Sequence, residues 1–207
     1  MSVIKPFQFM DKHAIECRAL DVLEAMKTSD RHVPTFPLDS SRVAEFLGLD
    51  VVWDVLPEDD EGAIAARILP LEKLIEINET ILDLKEGFGE STIAHEVGHW
   101  VLHIDRQAVD RVLRLRQKGV NVSVKPLLCR NNEQIQGIEW QAQYFASCLL
   151  MPRYLLEEKI QGRDITQWTD LYAIAADFGV TISNLLHRLK DLEWVSLKEG
   201  SKELLRC

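Results

Sequence analysis

Residues 92–103 read Thr-Ile-Ala-His-Glu-Val-Gly-His-Trp-Val-Leu-His, and they constrain the chain more than any other stretch. At their centre lies His95-Glu96-Val97-Gly98-His99, an HExxH pattern. Two histidines four apart on a helix share one face and lie about 5–6 Å from each other. Both imidazoles can then reach one small cation at a Zn–N distance of roughly 2.0–2.1 Å. Glu96 points about 100° round the helix from His95, so it can touch a water at the open metal position without being a ligand itself. The cation lowers the pKa of that water, and a carboxylate beside it can take the proton as the water attacks a carbonyl. Two ligands, one base and one open position are what hydrolysis of an unactivated amide requires.

The helix has independent support. Ile93, Val97, Trp100, Val101 and Ile104 recur at three- and four-residue intervals, which turns one stripe towards a core. Gly89, Ser91 and Thr92 supply start signals. Gly98 costs helix stability of order 1 kcal/mol relative to Ala. A glycine between the two histidines allows close approach of a neighbouring segment or of substrate backbone. Without such a role, Gly98→Ala would stabilise the helix. HExxH also occurs by chance in helices that bind nothing, so a third ligand decides the matter.

Three protein ligands plus water is the usual catalytic zinc arrangement, and two histidines with a glutamate is one such set. The downstream candidate is Glu139, the only acid in the helical run Ile138–Met151 that Pro152 ends. A carboxylate there is costly unless paired or metal-bound. The competing reading makes Glu139 a helix-start cap beside Gly137; the HExxH upstream favours the ligand. Gln143, one turn on, could hold a ligand histidine by its second ring nitrogen. His103, four after His99, could support a ligand, steady an oxyanion, or be only a half-buried histidine at the helix end.

Together, His95-Glu96-Val97-Gly98-His99, then Glu139-x-x-Ala142-x-x-Phe145-Ala146 and Leu149-Leu150-Met151-Pro152, resemble the ImmA/IrrE-type metallopeptidases, a bacterial and phage family of gluzincin character. The resemblance runs from about Val33 to the C-terminus and includes Ile75-Glu76-Ile77-Asn78 ahead of the site. It implies one zinc per chain on His95, His99 and Glu139, with Glu96 as the base. It also implies an endopeptidase whose protein substrate is a cognate helix-turn-helix repressor of a mobile element, prophage or stress regulon. Gln143 departs from the family's usual Asn, and the His99–Glu139 linker is longer than is common. Zinc chemistry overlaps with that of manganese and other divalent ions, so the residues alone leave the metal open.

The expected fold class is α+β: a zincin-like minimal metallopeptidase domain, a small twisted sheet plus the HExxH helix, over residues 33–160. An N-terminal helical extension (1–32) precedes it and a C-terminal helix-turn-helix-like segment (161–207) follows. A helix is predicted from about Asp11 to Met26, with Ile15, Ala19, Val22, Leu23 and Met26 as its stripe. Asp39 or Ser40 should cap a helix to Leu47 that Gly48 stops. Val51–Val55 and Leu74–Asn78 read as strands, and Ala63–Leu69 as a strand whose alanines would also suit a helix; the gluzincin resemblance implies that an edge of the sheet takes an extended substrate by strand addition. Leu171, Ala175, Gly179 and Leu185 follow helix-turn-helix spacing, with Ser183 as the second cap. His13 and His32 read as isolated and exposed.

Residues 104–130 hold seven basic side chains against Asp105 and Asp110, a net +5 that leaves −14 of the chain's −9 elsewhere. This is either a solvated helix and loop, the favoured reading, or a flap that receives an acidic partner segment. The acidic total argues against non-specific nucleic-acid or anionic-membrane binding. The second helix of the C-terminal pair carries only His187, Arg188 and Lys190, so packing or protein contact is expected there rather than DNA reading. No apolar run approaches ~20 residues, so no membrane span is expected. Cys17, Cys129, Cys148 and Cys207 lack metal or disulfide spacing, which suits reduced thiols in the cytoplasm. Cys129 could also serve as an inhibitory thiolate on the open metal position. The alternative function is a non-catalytic antirepressor that binds a partner on the same fold; the intact base and ligand set weigh against it.

Overall fold

Asp11 opens the first helix by accepting from the backbone N–H of Ala14 at 2.7 Å, and α1 (Lys12–Lys27) follows. Its stripe of Ile15, Ala19, Val22, Leu23 and Met26 is buried, as its spacing predicts. The computed structural model describes residues 2–59, 62–80, 88–130, 137–198 and 203–207, without the side chains of Phe88, Cys129 and Arg130. Asp39 caps α2 (Ser40–Phe46), and Gly48 leaves it at φ +77°, the left-handed region that glycine enters freely.

Strands β1 (Asp50–Asp54), β2 (Ile64–Leu69), β3 (Leu74–Asn78) and β4 (Leu127–Arg130) form one sheet in the order β1-β3-β2-β4. β1 runs parallel to β3, and the β2–β3 and β2–β4 pairs are antiparallel. Among the described residues the edges are therefore β1 and β4, and β4 was not foreseen. Ile75 and Ile77 of β3 and Ala66 and Ile68 of β2 are buried. On the register pair Arg67–Glu76 an ion pair crosses the two strands.

Helix α3 (Phe88–Leu102) packs on β2 and β3, and α5 (Ile138–Leu150) packs on α3. α3 is already helical at Phe88, so Gly89, Ser91 and Thr92 sit in its first turns rather than before it. The Glu90 carboxylate accepts from Ser40 N at 2.7 Å, tying the start of α2 to α3. Helix α4 (Arg106–Gln117) buries Ala108, Val109 and Val112 and turns its arginines outward. Outside the sheet, α1 lies along α5.

Past Met151, Pro152 starts a further helix rather than only ending α5: α6 (Arg153–Lys159). Then come α7 (Trp168–Asp177) and α8 (Ile182–Asp191) around Gly179. Thr181, not Ser183, caps α8, accepting from Asn184 N at 3.2 Å. The chain ends in an antiparallel ribbon of β5 (Val195–Leu197) and β6 (Leu204–Arg206), so its last segment is not purely helical. The molecule is thus a mixed α+β fold with eight helices and two small sheets among the described residues. One continuous apolar core takes in side chains of α1, the four-stranded sheet, α3, α5, α7 and α8. His32 is not isolated: its Nε2 lies 3.5 Å from a Glu45 oxygen and its ring rests against Phe46.

Candidate metal centre

The close packing of α3 on α5 brings the first turn of α5 over the HExxH face. His95 Nε2 and His99 Nε2 lie 3.0 Å apart. Glu139 Oε2 stands 3.1 Å from the first and 3.3 Å from the second. Glu139 lies in the first turn of α5, and its carboxylate faces the two histidines. These three residues form a group that could hold a metal ion.

The donor set fits such an ion. A tetrahedral centre with ligands at 2.0–2.1 Å places neighbouring donors roughly 3.3 Å apart. The three observed separations lie close to that edge. Three electron-rich atoms that face one another at this range repel unless protons or a cation lie between them.

The surroundings set the charges. Burial lowers the His95 pKa, but the hydrogen bond to Glu139 and the charges of Glu96 and Glu139 outweigh it, so the value is raised; Gln143 is a minor hydrogen-bonding neighbour. Burial dominates at His99 and takes its pKa down to about 4. At Glu139 burial acts upward, yet the close approach of His95 and His99 prevails and the carboxyl is held well below its usual range. Glu96 is buried at 1% exposure beside them.

His103 does not face open space. Its Nδ1 meets His99 Nδ1 at 3.0 Å and its Nε2 meets Gln141 Oε1 at 2.9 Å. Both ring nitrogens are taken, and burial lowers its pKa. Gln141 in turn donates to the backbone oxygen of Gln8 at 2.9 Å. Sequence reasoning missed Gln141. An amide on a helix is an ordinary surface residue, and the only local clue was its place two positions after Glu139. The side chain of Cys129 lies outside those described.

A cleft of about 410 Å³ opens between the start of α3, α5 and α8; Ser91, Gln143, Ser147, Asn184, His187 and Asp191 line it with apolar neighbours, and it reaches the site through Gln143, not through His95, His99 or Glu139. Asn184 of α8 donates to Ser91 Oγ of α3 at 2.7 Å across it.

A family model described as the IrrE N-terminal-like domain, peptidase family M78, matches residues 60–190. The chain belongs to this family. The matched region holds His95, Glu96, His99, His103, Glu139, Gln141 and Gln143, and leaves α1, α2, β1 and the final ribbon outside. Among solved structures, a Mycobacterium tuberculosis transcriptional regulator is similar at a TM-score of 0.51 and 16% identity, over 92% of this chain and 49% of that one. The chain therefore spans about half the length of that regulator, and the likeness is one of fold. No curated protein matches the chain. No helix among the described residues is long and apolar enough to cross a membrane.

Proposed function

We propose that the chain is a zinc-dependent endopeptidase in which His95, His99 and Glu139 hold the metal and Glu96 is the general base. The observation that carries this reading is the convergence of His95 Nε2, His99 Nε2 and Glu139 Oε2 at 3.0–3.3 Å beside a buried Glu96. Bound there, zinc supplies Lewis-acid polarisation of the reacting oxygens. Glu96 takes the proton of the attacking water and returns it to the leaving amine. Gln143 orients His95. The helix-on-sheet arrangement is zincin-like, with residues 33–160 as the catalytic unit. Among the described residues β1 and β4 are the sheet edges, where an extended substrate would add as a strand, and the cleft between α5 and α8 would take side chains on the Gln143 side of the site.

The substrate is a transcriptional repressor of the helix-turn-helix class in the same cytoplasmic compartment. Family membership and a fold shared with a transcriptional regulator support a regulatory setting. The α7–turn–α8 pair is read as a helix-turn-helix-like unit used for packing or protein contact. Arg188 is fully buried, which leaves His187 and Lys190 as the basic groups of α8 and argues against DNA reading.

Glu96→Gln tests the reading. The variant should retain one zinc per chain and lose cleavage of a candidate repressor; retained turnover refutes the base assignment. A variant that cleaves nothing yet still lifts repression at stoichiometric dose would replace proteolysis by antirepressor binding.

A further inference from the structure

We infer that His103 and Gln141 are positioning residues that hold His99 in the tautomer able to bind a metal, and that the N-terminal segment, through the Gln8 carbonyl, fixes the direction of this chain of hydrogen bonds. The inference deepens the metal-site reading above and rests on it.

A backbone carbonyl can only accept. The Gln141 amide must therefore turn its Nε2 to the Gln8 oxygen, 2.9 Å away. That leaves Oε1 facing His103 Nε2 at 2.9 Å. An amide oxygen also only accepts, so His103 Nε2 is the nitrogen that carries the proton. The other nitrogen of a neutral imidazole is bare. It faces His99 Nδ1 at 3.0 Å, which must then be the donor. The lone pair of His99 is thereby placed on Nε2, the atom that faces His95 and Glu139. Reversing any link would put a hydrogen on His99 Nε2, pointing where the cation must sit.

Burial makes the chain specific. His103 is 6% exposed and Gln141 1%, so water does not readily replace either partner. Its far end is also anchored. Lys5 N donates to His103 O at 2.8 Å and Asp105 N donates to Val3 O at 2.8 Å. Lys5 Nζ caps the end of α3 through the carbonyls of Leu102 at 3.0 Å and Val101 at 3.3 Å. The N-terminal segment is thus clipped to the end of the HExxH helix, which positions Gln8. It lies outside residues 60–190, so a part of the chain beyond the family match sets the proton arrangement of a motif histidine.

The test uses the full chain in two states. Ring ¹⁵N shifts of the histidines in metal-free protein report the His99 tautomer directly, a readout that a merely structural role would not move. Wild type should show the proton on Nδ1. Gln141→Met, which matches the volume but cannot accept from His103 or donate to Gln8, should shift His99 towards a mixture or towards Nε2–H. Zinc affinity measured against a chelator should fall about 10- to 100-fold. His103→Phe is the second variant and should act likewise if Gln141→Met does not fold. A wild-type His99 protonated on Nε2 overturns the inference, and so does an unchanged zinc affinity in the folded variants. Failure of wild type to bind zinc would instead sink the metal-site reading, and the tautomer would then decide this inference alone.

Discussion

Gly98 of α3 lies against the backbone of Ala142 of α5: a methyl group on Gly98 would stand 2.9 Å from the Ala142 carbonyl oxygen and 3.1 Å from its Cα. Backbone cannot step aside as a flexible side chain can. Gly98 sits between the two histidines, and Ala142 follows Glu139 by one turn, so the spacing at this contact is the spacing of the three ligand atoms. Gly98→Ala should therefore lower stability by about 1–3 kcal/mol through overpacking, which exceeds the ~1 kcal/mol that helix propensity alone would return. Zinc affinity should fall with it. Urea unfolding and chelator competition on the same preparations check both; a raised midpoint would show that α5 can move away.

The elements legible in the sequence are those whose partner is a periodic apolar face. The stripe of α1, the cap at Asp39, the alternation at Leu74–Asn78 and the HExxH helix each announce themselves within a few residues. What escaped depends on distant chain. β4 is four residues long and becomes a strand only because β2 offers it an edge. The β5–β6 ribbon closes around Lys198 and Glu203, whose charges read as tail. His95, His99 and Glu139, which the fold brings together, stood out because their residue types are rare in apolar helices. Gln141 was not, because the carbonyl that gives it a role lies 133 positions away.

Metal binding should weaken as pH falls. Each histidine of the proposed metal site must have a bare Nε2 to bind, and His95 has its pKa raised, net of burial, by Glu139 and Glu96. Protons therefore compete at His95 from above its ordinary value, and the thermal shift caused by zinc should shrink between about pH 8 and pH 6. In the metal-free protein the two histidines act oppositely. The raised pKa of His95 contributes stability that is full below the unfolded value of 6.5 and lost as pH rises through the folded value. His99, depressed by burial to about 4, contributes stability present above 6.5 and lost as pH falls towards 4. Replacing His99 by Asn should remove the acid-side loss and leave the other limb; a pH–stability curve unchanged by that substitution would contradict the assignment.

Outward charge on α4 gives a separate expectation. Arg106, Arg111, Arg114 and Arg116 are exposed, and among the described residues two of them have loose acidic partners: Arg111 with Asp105 at 3.5 Å and Arg116 with Glu72 at 3.6 Å. Exposed pairs of this kind contribute about 0–1 kcal/mol each. Replacing Arg106, Arg111 and Arg114 together by Gln should leave the unfolding midpoint nearly unchanged. If α4 guides an acidic partner segment, the same variant should bind substrate more weakly and lose most of the salt dependence of association. Equal binding at low and high salt, in both proteins, removes α4 from recognition.

Arg188 carries the opposite expectation, because its charge is inside. From α8 it reaches back to both α5 and α1: it donates to Met151 O and Cys148 Sγ, each at 3.2 Å, approaches the Tyr144 hydroxyl, and pairs with Glu16. The Glu16 side chain is only 15% exposed. Arg188→Ala would strand that carboxylate and several acceptors, so the loss should be about 3–5 kcal/mol. The double variant Arg188→Met with Glu16→Met removes both charges at similar volume and should recover much of it. The two singles and the double form a cycle that separates the pair from its burial. Cys148 offers a local probe: burial pushes its thiol up to about 12, so it should resist alkylation in the native chain. Peptide mapping should find it unmodified in wild type while exposed Cys17 and Cys207 react, and modified in Arg188→Ala. If Cys148 stays protected in the single variant and stability is unchanged, α8 is held to the core by its apolar face, Leu185 and Leu189, and not by the arginine.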